Sequence, residues 1–289
     1  MKADELLKAG RLTEALAALQ QQVRDDPADP KLRVFLFQLL AVLGQWDKAL
    51  TQLNISADMD PANLLMAQIC RDALAAEAFR AEVFAGRRLP LVFGEPPEWV
   101  GLLLQSNQVA ETGGGSPDAA RELRERAFEA APTTSGTING EPFEWIADSD
   151  MRLGPMLEAV IQGKYFWVPF QHVREIKIEK PTDLRDLVWL EASFTWTNGG
   201  TAAGLIPTRY PGSEAAEPAL ALARRTEWAT RGDGASTGTG QRVLATDASE
   251  YPLLEVRHVV LGEPVGRDGG GGAEEAGAAS DAGGAGGHA

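Results

Sequence analysis

A chain of 289 residues, 44% of them hydrophobic, is long enough for two domains with real cores. A formal net charge of -14 argues against nucleic-acid backbones or anionic membranes as main partners, because both select a basic face. The single cysteine, Cys70, excludes a disulfide framework and a cysteine zinc site, fits a reducing compartment, and is expected as a small buried side chain on a helix.

The opening MKADELLKAG mixes charges with its apolar residues and has no apolar core followed by a cleavage site, so it does not read as a signal peptide. The longest apolar stretch, Val34 to Leu43, is broken by Gln38 and falls well short of the roughly 20 residues that span a bilayer. A soluble cytoplasmic protein is expected.

Ala3 to Lys8 and Leu12 to Asp26 are predicted helices, followed by a full helical hairpin at Pro30 to Gly44 and Trp46 to Met59. These two pairs repeat. Gly10, Ala15, Leu16, Leu19 and Asp26-Pro27 recur 34 residues later as Gly44, Ala49, Leu50, Leu53 and Asp60-Pro61. That period, with a closing Asp-Pro, is the signature of a tetratricopeptide-like repeat, whose hairpins bury their apolar faces by stacking on neighbours. Gly44 closes the first helix in a left-handed conformation, small Ala49 lets the helices approach, and Pro61 stops the second. Leu36, Leu40, Leu43, Leu50 and Leu53 form the inner stripe.

A long helix follows from Leu64 to Ala85, ended by Gly86, then a Pro/Gly-rich connection at Arg87 to Pro97 and two more helices at Glu98 to Val109 and Pro117 to Ala130. The helical domain is expected to occupy residues 1 to 132. From Thr133 the composition turns to Thr, Gly, aromatic and β-branched residues, which marks an α+β domain over residues 133 to 262.

In that second domain a helix capped by Asp148 or Ser149 is predicted to run to Gln162. Strands are expected at Tyr165 to Phe170, Val173 to Glu179, Leu187 to Trp189, Ser193 to Thr197 and Ala202 to Pro207, with a hairpin turn at Asn198-Gly199-Gly200. A helix from Glu217 to Trp228 and strands at Val243 to Ala245 and Leu253 to Val256 complete the unit. Residues 263 to 289, nearly all Gly, Ala and acidic from Gly266 on, form a tail expected to be disordered.

The search for chemistry is mostly negative. No metal-ligand, nucleotide-binding or nucleophile-elbow spacing is present, His172 and His258 read as ordinary sheet-edge residues, and no metal or cofactor is called for. One acidic constellation remains: Glu141, Glu144, Asp148 and Asp150. It offers either paired carboxylates for acid/base or hard-metal chemistry, hence a small hydrolase built on Asp148 and Asp150, or simply a capped helix entry, which is the preferred reading. The nearby Phe143, Trp145, Tyr165, Phe166 and Trp167 read as core or as the seam between the domains.

The run GTINGEPFEWIADSDMRLGPMLEAVIQGKYFWVPF, with DLRDLVW, GLIPTRYPGSE, RRTEW and GQRVLATDASEYPLLEVR, resembles the ImpE family, also called TagJ or SciE-type proteins, over residues 1 to 262. The resemblance implies a non-enzymatic accessory protein of bacterial type VI secretion. It also implies binding to the N-terminal helix of the sheath subunit TssB, near the pathway by which the ClpV ATPase recycles contracted sheath.

The residues themselves point to a surface without naming the partner. In the repeat register Lys31, Val34, Gln38, Ala41 and Val42 fall on the face that lines the concave groove, and three of the five are apolar where a solvated face is polar. That face is expected to be covered, either by the second domain or by an amphipathic helix from another protein.

Overall fold

Gly10 and Gly44 both adopt left-handed backbone, with φ of 74° and 64°, and they occupy equivalent turns. The computed structural model describes residues 2–262, and the tail expectation lies outside them. Around the two glycines α1 (Ala3–Lys8) pairs with α2 (Leu12–Asp25), and α3 (Pro30–Val42) with α4 (Trp46–Met59). The closing bonds match: Arg11 N donates to Leu6 O at 2.9 Å, as Gln45 N does to Leu40 O at 2.9 Å. Ala15 and Ala49 are fully buried at the close approaches, and Leu19 and Leu53 are fully buried beneath them. Each such leucine contributes about 1.5–3 kcal/mol by leaving water.

α5 (Leu64–Phe84) closes the repeat stack, β1 (Leu91–Val92) leaves it, and α6 (Glu98–Thr112) and α7 (Pro117–Ala130) form a separate hairpin. Gly113 caps α6 in left-handed backbone and the Ser116 hydroxyl accepts from Ala119 N at the start of α7.

The strands that follow are β2 (Gly136–Ile138), β3 (Glu141–Phe143), β4 (Ile146–Asp148), β5 (Met156–Ile161), β6 (Lys164–Pro169), β7 (Val173–Ile178), β8 (Trp189–Trp196) and β9 (Thr201–Pro207). After the single turn α8 (Pro218–Ala221) come β10 (Thr226–Thr230), β11 (Ser236–Gly240), β12 (Val243–Thr246), β13 (Glu250–Pro252) and β14 (His258–Leu261). A nine-stranded sheet has the order β1-β6-β5-β9-β8-β7-β14-β2-β3, beside a three-stranded sheet β13-β12-β4 and the hairpin β10-β11.

The large sheet is buried on both faces. Met156, Val160, Tyr165, Trp167, Trp189 and Leu205 face the helices and join their core, while Leu157, Ala159, Ile161, Leu190 and Phe194 pack with Ile146, Leu244 and Leu253 on the other side. One core therefore crosses the boundary between the helical and sheet-rich regions, and β1 belongs by sequence to the first and by pairing to the second.

Five expected elements are different. Asp148 ends β4, and the segment after it forms a turn and β5 rather than a helix; a strand buried on both faces reads as an unbroken apolar run, and so does a buried helix. The helix expected from Glu217 to Trp228 is one turn long, because Ala223 takes a left-handed φ of 51° and Thr226–Thr230 is extended. The segment from Leu253 is a 3-10 turn, not a strand, and the two short stretches expected around Trp189 and Ser193 are the single strand β8. His258 lies on β14 between β7 and β2, inside the sheet rather than at its edge, and its Nε2 meets Glu175 Oε1 at 2.8 Å.

Candidate functional site

The concave face of the repeat is occupied by the chain itself. The 3-10 turn Leu184–Leu187 packs against α3, Trp189 lies 6.0 Å from Trp46 ring to ring, and Arg209 Nη1 donates to Val42 O at 2.8 Å and also to Ala221 O. Burial lowers the Arg209 guanidinium to about 10, so it remains charged at neutral pH. Glu214 covers the repeat turn: a Cβ added at Gly44 would meet its Cγ at 2.5 Å.

Of the five groove residues, Gln38, Ala41 and Val42 are therefore buried, Val34 is half-buried and Lys31 is exposed. The apolar character of Ala41 and Val42 is explained by the second region covering them, one of the two coverings expected. What stays open is the far end of the stack. Successive helices run antiparallel, so the start of α3, the end of α4 and the start of α5 share that end. There Leu64 and Leu65 are 53% and 74% exposed, a conspicuous cost for adjacent leucines.

Behind the covered face lies a buried ionic cluster. Arg80 of α5 reaches Glu158 of β5 with Nε at 2.6 Å and Nη2 at 3.0 Å, and Nη2 also donates to Arg209 O at 2.7 Å. Glu158 accepts further bonds from Arg242 and from the Tyr165 hydroxyl, and Arg242 passes the chain of charges on to Asp148. Trp167 Nε1 donates to Tyr165 at 2.8 Å, and Trp189 Nε1 to Glu77 at 2.7 Å. Burial pushes the Glu158 carboxyl up, but the Arg80 and Arg242 guanidiniums outweigh it and bring it down to about 2.

Asp148 and Asp150 sit at one end of this cluster and neither caps a helix. Asp148 accepts from Arg242 and from the Tyr210 hydroxyl at 2.9 Å, and burial raises its carboxyl to about 6 against the pull of Arg242. Asp150 takes a fork from Arg152 and accepts from Gly238 N at 2.9 Å. Both side chains are sealed from solvent. Glu141 and Glu144 do not join them: Glu141 meets Tyr251 at 2.7 Å on the surface, and the backbone of Glu144 bonds Asp247. Among the described residues no group of three or more His, Cys, Asp or Glu side chains is placed to hold a metal ion, and no helix is long and apolar enough to cross a membrane.

Sequence reasoning named Asp148 and Asp150 but missed Arg80, Glu158, Arg209 and Arg242. A signal existed. Glu158 stands alone in MLEAVI, and a charge isolated in an apolar run is kept there by a partner.

Comparison with known proteins agrees with this architecture. The family model described as ImpE protein matches residues 140–260, and a tetratricopeptide repeat model matches residues 6–71. The type VI secretion system accessory component TagJ of Pseudomonas aeruginosa is 48% identical over 260 residues, covering 90% of each chain. An X-ray crystal structure of a Vibrio parahaemolyticus protein superposes with a TM-score of 0.81 at 25% identity, covering 91% of this chain and 98% of that one.

Proposed function

Since the chain belongs to the ImpE family, in which TagJ is its 48% identical relative, we propose that it is a non-enzymatic adaptor of a bacterial type VI secretion system. It works in the cytoplasm, holds the N-terminal helix of the sheath subunit TssB, and so assists the recycling of contracted sheath by the ClpV ATPase. The coarse part of this reading, an accessory role in type VI secretion, follows from the family.

The observation that carries the finer part is the exposed pair Leu64 and Leu65 at the open end of the repeat stack, with Val34 and Lys31 of α3 at the same end. An amphipathic helix laid across that end covers the leucines with its apolar face. Gln38, Ala41 and Val42 act indirectly, by fixing α3 against the second region. Against the alternative of a small hydrolase stands the sealing of Asp148 and Asp150, each held by a guanidinium.

The test is calorimetric titration with a peptide carrying the N-terminal helix of TssB. Val34→Glu with Leu65→Glu places two carboxylates in the proposed interface, and binding should weaken at least about tenfold, or 1.4 kcal/mol, with unchanged circular dichroism. A folded double variant that binds as before removes the site from this end.

A further inference from the structure

The strand β10 has one partner and one open side. Gln241 N donates to Arg225 O at 3.0 Å and Arg231 N to Ala235 O at 2.8 Å, so the antiparallel alternation aims the backbone of Glu227 and Ala229 at β11. The N–H and C=O groups of Thr226, Trp228 and Thr230 then point away from β11, and no described strand pairs with that side. Residues 227 to 230 are exposed, and the strand carries no proline, lysine or bulge of the kind that blunts an open edge.

The hairpin is held from behind. Gly238 N donates to Asp150 Oδ2 at 2.9 Å, Gly240 N to Ser213 Oγ at 2.8 Å, and Met151 N to Ser236 O at 2.9 Å. Trp228 lies across Gly238 with its ring 5.6 Å from that of Tyr210, yet remains 40% exposed. A Cβ at position 238 would come within 2.4 Å of the Tyr210 ring, so only glycine lets the two aromatics settle there. The result is a rigid edge with a half-open indole beside it, anchored to the buried ionic cluster through Asp150.

We propose that this edge receives an extended segment of a partner protein as an added strand, with net positive charge and β-branched or aromatic side chains at alternate positions. Main-chain bonds to Thr226, Trp228 and Thr230 supply the pairing, and the partner side chain opposite Trp228 packs on the open indole. The positive charge follows from the -14 of this chain, which attracts a cationic segment and repels a second copy; the flanking Arg225 and Arg231 are already paired, with Glu217 and Glu227 and with Glu111 and Asp233. This surface is separate from the leucine pair on the repeat stack and stands whether or not a helix binds there.

The probe is a blocked peptide of alternating Thr and Val flanked by lysines, titrated into the isotope-labelled full chain. At saturation the amide protons of Thr226, Trp228 and Thr230 should exchange at least tenfold more slowly, with little change at Glu227 and Ala229. Thr230→Pro removes one outward N–H while leaving the inner ladder, and should weaken the peptide at least tenfold without moving the melting temperature. If that variant misfolds, a peptide N-methylated on alternate amides reads the same bonds on the unaltered protein, again with a tenfold loss expected. Flanking glutamates in place of lysines should also weaken binding tenfold. The proposal is overturned if the amides gain no protection, if the methylated or acidic peptide binds as well as the first, or if sedimentation shows a dimer that Thr230→Pro dissolves.

Discussion

Arg80 and Glu158 are joined by a two-point bond across the junction of helices and sheet, Nε to Oε1 at 2.6 Å and Nη2 to Oε2 at 3.0 Å, with no water-exposed surface on Glu158. Seventy-eight positions apart in sequence, they fix α5 to β5 by direction as well as by attraction. Removing one partner leaves the other charge buried. Arg80→Met should cost about 3–5 kcal/mol of unfolding free energy, measured by urea denaturation. A loss below about 1 kcal/mol would mean that the pair does not hold the two layers together.

Acid should act on the same carboxylate. Glu158 is held near 2 in the folded protein against an ordinary 4.5, so its pairing contributes stability above pH 4.5 that is lost as pH falls toward 2. The shift corresponds to roughly 3 kcal/mol. Asp148 has the opposite sign: raised to about 6 from 3.8, its protonation below pH 6 favours the folded state, fully so below 3.8. Asp148→Asn removes that opposing contribution. Unfolding free energies of this variant between pH 5 and pH 2 should fall by roughly 3 kcal/mol, and a flat profile would contradict the assignment to Glu158.

The two aspartates once weighed as helix caps can be tested through the size of their effect. A cap is worth about 1 kcal/mol, whereas a sealed ion pair that also accepts a backbone bond costs about 3 kcal/mol or more when broken. Asp150→Asn, which disrupts the Arg152 fork and weakens the bond from Gly238 N, should show the larger loss in chemical denaturation. A change near 1 kcal/mol would return Asp150 to the role of a simple turn residue.

Gly44 and Gly113 have nearly the same φ, 64° and 66°, but different surroundings. A methyl group at 113 meets nothing within 4 Å, while at 44 it meets Glu214 at 2.5 Å. Gly113→Ala should cost about 1 kcal/mol for left-handed backbone alone. Gly44→Ala should cost measurably more, and adding Glu214→Gly, which removes both the Cγ at 2.5 Å and the Cβ at 2.9 Å, should recover the difference. Equal melting temperatures for the two single variants would show that the Glu214 turn yields freely.

The repeat was legible because its period is carried by glycine, alanine and proline positions whose backbone roles are local. The hairpin at Asn198-Gly199-Gly200 was legible for the same reason, and Gly199 does take a φ of 84°. The Asp148 to Gln162 segment was not, because its periodicity is erased when both faces of β5 are buried. Apart from the local fork of Arg152 on Asp150, the partners of Asp148 and Asp150 lie at Arg242, Tyr210 and Gly238, brought in by long-range pairing that no local pattern encodes. The strand Thr226–Thr230 was hidden by a preceding alanine-rich stretch that starts like a helix and stops at Ala223.

The place of β14 bears on how the chain reaches this state during synthesis. The last described strand lies between β7 and β2, so the hairpin β2-β3, made more than a hundred residues earlier, has no neighbour in the large sheet until His258–Leu261 emerges. A ribosome-bound chain can stack its helices early, but its sheet stays divided, with β7 and β2 both unpaired along one side and open to wrong partners. A protein truncated just before His258 should be caught in that divided condition permanently, prone to aggregate through the two abandoned edges.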